Sequence, residues 1–229
     1  MSKDSKDIIQ LGARTLAILD NFKTISNSIQ LSEGQSLVIG DPETGSILAK
    51  AQIDETLPVD FSVANLGGLL KILKMRAFTE SKLDFTNEGV VDIAGKGQKI
   101  KYYASDSMFA EIPEEFPEIE DEGFRAQITP EVSKDFESGC AAMGLTHAGL
   151  VIKDKKAYLI GHNPELPNDT NYSIELGDSE LDDFTVDIKV AFLKKVLEGN
   201  YTLTADDRMA VFTSADERLV YIIGSEIPD

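Results

Sequence analysis

The chain has 229 residues, with 40 acids against 22 bases and a formal net charge of -18. A hydrophobic share of 42% suffices for ordinary cores, while the longest apolar runs fall far short of a membrane span, so no membrane-spanning helix is expected. One cysteine, Cys140, leaves no internal disulfide, and the opening Met1-Ser2-Lys3-Asp4-Ser5-Lys6-Asp7 lacks the apolar core of a signal peptide, so the expected location is cytoplasmic.

From the N-terminus, residues 10–22 place Leu11, Leu16, Ile18, Leu19 and Phe22 on one helical arc. Alternation predicts strands over 25–31, 36–39, 47–53 and 59–63, with Asp41-Pro42-Glu43-Thr44-Gly45 turning between two of them. Asn65 is placed to cap a second helix, with Leu66, Leu69, Leu70 and Leu73 at core spacing. Strands follow over 82–86, 90–94 and 99–104, joined by turns at Asn87-Glu88-Gly89 and Gly95-Lys96-Gly97. Residues 105–122 change character: Glu111-Ile112-Pro113-Glu114-Glu115-Phe116-Pro117-Glu118 carries acids, two prolines and no period, as a linker does. The order then restarts with a strand over 124–128. A helix opens at Thr129-Pro130-Glu131, with Pro at its first position and Val132, Phe136, Cys140 and Met143 as its apolar stripe. Strands are predicted over 147–153, 157–161, 172–176 and 184–188, then a fourth helix over 189–197 stopped by Gly199-Asn200. Strands over 201–205, 209–213 and 219–223 finish the chain.

Three echoes connect the halves in order. Ile100-Lys101-Tyr102-Tyr103-Ala104-Ser105-Asp106 matches Val220-Tyr221-Ile222-Ile223-Gly224-Ser225-Glu226. Ser36-Leu37-Val38-Ile39 matches Gly149-Leu150-Val151-Ile152, and Leu69-Leu70-Lys71-Ile72-Leu73 matches Phe192-Leu193-Lys194-Lys195-Val196. The expectation is a duplicated unit: a domain over 1–106, a linker over 107–122 and a second domain over 123–229. Each half holds two helices and about seven strands, an α+β architecture of helices packed on antiparallel sheets.

Catalytic constellations are scarce. His147 and His162 have no Cys or His partner at metal spacing, so no metal site is expected. Cys140 lies on an apolar stripe and reads as core. Gly95-Lys96-Gly97 lacks the long glycine-rich turn and the Lys-Ser/Thr of a phosphate loop, and Asp182-Asp183 and Asp206-Asp207 read as solvated turns. No catalytic residue and no cofactor is expected.

The bases are more telling. Net charge alone argues against nucleic acid, because phosphates are met by Lys and Arg. Yet residues 65–77 carry Lys71, Lys74 and Arg76 and no acid, and residues 188–197 carry Lys189, Lys194 and Lys195 and no acid. These are the equivalent helices of the two halves. Lys71 and Lys74, three apart, share a face away from the leucines. The first helix of each half carries Arg14 or Lys134, with Asp20 and Glu137 nearby. Two readings stand: basic faces that contact a phosphate backbone inside an acidic shell, or ordinary helix lysines whose stems lie along apolar surface.

The order of elements, with Leu19-Asp20-Asn21-Phe22-Lys23-Thr24-Ile25-Ser26-Asn27-Ser28-Ile29, residues 65–73, Tyr172-Ser173-Ile174-Glu175-Leu176-Gly177-Asp178 and Gly199-Asn200-Tyr201, resembles the DNA polymerase sliding clamps, in particular the trimeric processivity clamps of T-even-like tailed phages. The likeness runs over nearly the whole chain. It implies the DNA clamp fold, with three two-domain chains closing a six-domain ring around duplex DNA, which is bound independently of sequence. The family's inner-surface bases map onto Arg14, Lys71, Lys74, Lys134 and Lys195, with Arg76 and Lys194 as neighbours. The resemblance implies subunit contacts between the strand of Ile100, Tyr102 and Tyr103 and that of Tyr172, Ile174 and Leu176. It also implies a partner-peptide pocket near the linker, for which Met108, Phe109 and Ile112 are the apolar candidates. The implied partners are DNA polymerase, an ATP-driven clamp loader and factors of late transcription, in the host cytoplasm. The alternative is an acidic oligomeric adaptor that does not bind DNA; it wins if the basic helices face outward or pair with acids in the folded chain.

Overall fold

The computed structural model describes residues 7–105, 116–165 and 171–226. They fall into two compact units, residues 1–45 with 49–112, and residues 46–48 with 113–229. The first unit contains Ile8–Ile9 (β1), Ala13–Phe22 (α1), Ile29–Leu31 (β2), Gly34–Gly40 (β3), Ile47–Leu57 (β4), Phe61–Val63 (β5), Leu66–Leu73 (α2), Lys82–Asn87 (β6), Val90–Ala94 (β7) and Lys99–Tyr103 (β8). The second contains Phe124–Ile128 (β9), Pro130–Met143 (α3), His147–Lys153 (β10), Lys156–His162 (β11), Tyr172–Asp178 (β12), Phe184–Lys189 (β13), Val190–Leu193 (α4), Tyr201–Ala205 (β14), Met209–Ser214 (β15) and Leu219–Gly224 (β16).

In the first unit the strands run in the orders β1-β6-β7-β8 and β5-β2-β3-β4; in the second they run β9-β14-β15-β16 and β13-β10-β11-β12. Replacing each element of the first unit by its counterpart in the second reproduces the topology, so the duplication extends to strand pairing. The paired registers are antiparallel. The first and third echoes fall on equivalent elements, β8 with β16 and α2 with α4. The second does not: residues 36–39 lie in β3, whose counterpart is β11, whereas residues 149–152 lie in β10.

Local chemistry explains the helix ends. α1 starts at Ala13, not residue 10, and Leu11 stays outside it. Gly12 has no side chain with which to cap. Glu55 of β4 supplies the oxygens instead, one accepting from the Gly12 N–H and the other from the Thr15 hydroxyl at 2.6 Å. α2 has the expected Asn65 cap, Oδ1 accepting from Gly68 N at 2.7 Å, and Asn27 adds a second oxygen to Gly67 N at 2.9 Å. Its four predicted leucines, Leu66, Leu69, Leu70 and Leu73, are all buried. α3 opens on Thr129, whose hydroxyl accepts from Val132 N at 3.3 Å, and closes on Gly144 at φ 68°, a left-handed position that suits glycine. Its stripe is narrower than expected: Phe136 and Cys140 are buried, but Val132 is half-buried and Met143 is 44% exposed.

The fourth helix is the main departure. It was expected over 189–197 and comprises only Val190–Leu193, without a side-chain cap. Beyond Leu193 the backbone tightens: Lys195 N bonds Phe192 O at 2.9 Å and Val196 N bonds Leu193 O at 3.0 Å. β1 escaped prediction because two residues carry no visible alternation.

Candidate functional site

Of the first unit's bases, Arg14 and Lys71 lie on its two helices, with Lys74 and Arg76 at or just beyond the end of α2. Lys71 is exposed on α2, opposite the buried leucines, and Arg76 is exposed just beyond the helix. Neither has an ion pair among the described residues. Lys74 closes α2 and donates to Asp20 Oδ1 of α1 at 2.7 Å; Lys23 bonds the same oxygen. Those two ammonium groups, Lys23 first, hold the Asp20 carboxyl below its ordinary value, against the smaller upward push of burial. Arg14 is committed differently, its guanidinium donating to the Gln52 carbonyl at 2.7 Å.

In the second unit Lys134 is exposed on α3 without an ion pair among the described residues. Lys194 closes α4 and is exposed, while Lys195 is half-buried with its ammonium 5.6 Å from the centre of the Phe192 ring. Glu137 of α3 feels Lys194 through space. Burial pushes its carboxyl up, Lys194 pulls it down and Glu198 pushes it up again, leaving it above the ordinary value. Lys189 is paired with Glu226 at 2.8 Å. The sequence brought the bases to notice; that Asp20 would reach Lys74, fifty-four positions away, it did not reveal.

The two strands expected at subunit contacts each end a row. Among the described residues, β8 pairs only with β7 and β12 only with β11. Along β8, Ile100 and Tyr102 are half-buried and Tyr103 is 65% exposed. The Tyr102 hydroxyl donates to Asn65 O at 3.2 Å, its ring lies 6.4 Å from Phe61, and burial lifts its phenol above the usual value. Along β12, Tyr172, Ile174 and Leu176 are half-buried on one face. Tyr172 stacks at 6.2 Å from Phe136 of α3, and a Cβ built on Gly139 would lie 2.6 Å from its ring. An unpaired edge offers its outer N–H and C=O groups to another strand.

Met108, Phe109 and Ile112 lie outside the described residues. A surface cavity of about 420 Å³ that the sequence gave no sign of is lined by residues 185–187, Asp207, Arg208, Ser225 and Glu226. Arg208 ties it to the end of the linker segment, donating to Glu118 O at 3.4 Å and pairing with Glu120 at 3.2 Å. Asp206 is not the solvated turn residue expected: it is 2% exposed. Burial raises its carboxyl, but bonds from Arg208 N, the Arg208 guanidinium and Met209 N outweigh that and lower it. The three sequence segments that build the cavity are remote from one another, and no local pattern marks them.

His162 ends β11, opposite His147, with Nε2 2.9 Å from Asp187 Oδ1. Cys140 is buried, and burial pushes its thiol up, away from the reactive thiolate. Among the described residues no cluster of three His, Cys, Asp or Glu side chains is placed to hold a metal, and no helix is long and apolar enough to cross a membrane.

The architecture defines a class. Its duplicated sheets and helices match Proliferating Cellular Nuclear Antigen from Entamoeba histolytica with a TM-score of 0.72 at 14% identity, over 96% of this chain and 98% of that one. They also match the DNA polymerase III subunit beta sliding clamp from Bartonella birtlesii, with a TM-score of 0.71 at 14% identity over 96% of this chain and 65% of that one. The fold is that of the DNA sliding clamps. Among curated proteins the chain is 28% identical over 141 residues to the sliding clamp of Vibrio phage KVP40, covering 60% of this chain and 62% of that relative. It is 24% identical over 199 residues to the sliding clamp of Enterobacteria phage T4, covering 85% and 86%, and 25% identical over 228 residues to that of Escherichia phage RB69, covering 95% and 97%. The chain is similar to these sliding clamps of T-even-like phages. No protein-family model matches it.

Proposed function

We infer that this chain is a DNA polymerase sliding clamp, a non-catalytic scaffold that encircles duplex DNA and tethers the replicative polymerase. The observation that carries the reading is the clamp fold over 96% of the chain, with exposed Lys71, Arg76 and Lys134 on the helices of an otherwise acidic molecule. Arg14, Lys74, Lys194 and Lys195 complete the set of DNA-facing bases. Phosphate contacts are alike at every register, so the ring slides, and the tether raises the local concentration of primer terminus for the polymerase. Three copies close the ring: β8, with Ile100, Tyr102 and Tyr103, meets β12 of the next copy, with Tyr172, Ile174 and Leu176. The repeated domains span 1–106 and 123–229, joined by a linker over 107–122. Partner peptides dock at that linker, on Met108, Phe109 and Ile112. An ATP-driven loader opens the ring, the late-transcription machinery is a further partner, and the work is done in the host cytoplasm.

The adaptor reading draws on the Lys74–Asp20 pair at 2.7 Å and the Lys189–Glu226 pair at 2.8 Å. Lys71, Arg76 and Lys134, exposed without ion pairs among the described residues, weigh against it. Light scattering over a wide concentration range tests the ring. Three chains of 25.0 kDa give a species of about 75 kDa that falls toward monomer on dilution. A monomer that persists at high concentration would overturn the ring.

A further inference from the structure

In the first unit the lysine that closes the second helix is paired with an acid on the first: Lys74 closes α2 and is bonded to Asp20 of α1 at 2.7 Å. Asp20 also holds Lys23, so one carboxylate occupies two ammonium groups. On a face meant for a polyanion, this is the opposite of maximal attraction. A carboxylate already seated against an ammonium must be left before a phosphate can take its place, and the acid itself repels the incoming phosphate.

We propose that Asp20 is a built-in competitor of DNA phosphate for Lys74 and Lys23, which keeps the clamp's grip on the duplex weak. The inference rests on the sliding-clamp reading. Asp20 sets how many bases are available at a given moment. Lys71, Arg76 and Lys134 form the standing contact; Lys23 and Lys74 join it only when a phosphate displaces the carboxylate. A loosely held duplex moves past such a surface more readily than one gripped by every base.

The test uses the full chain and a short fluorescent duplex, with anisotropy measured across a salt series. Asp20→Asn is expected to bind about three- to ten-fold tighter at low salt, and to steepen the dependence of log affinity on log salt by about one unit. Glu88→Gln, in the exposed turn between β6 and β7, changes net charge equally and controls for it. A cycle with Lys74→Gln separates competition from misfolding. Lys74→Gln should cost little affinity in the wild type and markedly more in the Asp20→Asn background. An Asp20→Asn effect no larger than that of Glu88→Gln, or an equal loss from Lys74→Gln in both backgrounds, overturns the proposal while leaving the clamp reading intact. A wild-type chain that shows no salt-dependent duplex binding overturns both.

Discussion

The α1–α2 pair and the α3–α4 pair occupy the same place in two copies of one topology, yet they are stabilised differently. α2 is two full turns, capped by Asn65 and Asn27, with leucines filling its inner face. α4 is a single uncapped turn held by Val190, Phe192 and Leu193. The acids differ in the same sense. Asp20 is favoured in its charged form by two lysines, whereas Glu137 is half-buried and disfavoured in it. The same strand order thus accompanies either solution. What both pairs retain is exposed bases on the outer side of a helix whose inner side is apolar.

The largest expected effect probes the cores under these pairs. Phe22 of α1 and Phe136 of α3 are fully buried, and alanine at either should cost about 3–5 kcal/mol in denaturant unfolding. If only one unit's variant unfolds at lower denaturant, the two units do not share equally in limiting stability. Gly139→Ala comes next. Its Cβ would meet the Tyr172 ring at 2.6 Å, so the ring or the helix must shift, at about 1–3 kcal/mol. Because Tyr172 stands on β12, the same variant should lower the fraction of trimer seen by light scattering, which separates it from the Phe136 variant at matched stability. The cap contrast is smaller: Asn65→Ala should cost about 1 kcal/mol, while Lys189→Ala, at the equivalent position before α4, removes an exposed ion pair and should cost under about 1 kcal/mol.

Much of this architecture was legible in residue order. β7, β9, β10 and β14 have their predicted bounds because each is an alternating or continuous apolar run closed by Gly, Asp or a charged turn. α2 was legible because an Asn cap and a leucine stripe agree. The echo between residues 36–39 and 149–152 misled, since short buried strands draw on the same few apolar residues and resemble one another whatever their place in the sheet. α4 was overread because the apolar spacing through Val196 and Leu197 continues after the backbone has left helical geometry. At the site, the bases were visible as acid-free stretches. Their partners were not: the Lys74–Asp20 contact and the Glu55 oxygens at the start of α1 are set by tertiary packing across forty or more positions.

The finest prediction turns on the two acids and has opposite signs in the two units. Asp20 has its carboxyl pulled below 3.8 by Lys23 and Lys74, so the folded state favours the charged form. Its contribution to stability is present above the unfolded value and is lost as pH falls through the folded one. Asp20→Asn should therefore lower stability near neutrality by a few tenths of a kcal/mol, small because the pair is solvent-screened, and the difference should vanish in acid. Glu137 has its carboxyl raised above 4.5, chiefly by burial. The folded chain binds that proton more tightly than the unfolded chain, so stability is lost as pH rises from 4.5 through the folded value. Glu137→Gln should then raise stability near neutrality, by under about 1 kcal/mol, and change little in acid. Urea midpoints at about pH 7 and about pH 3 read both. Equal signs for the two variants would mean that the acids act through net charge alone, and the contrast between the helix pairs would be one of shape rather than electrostatics.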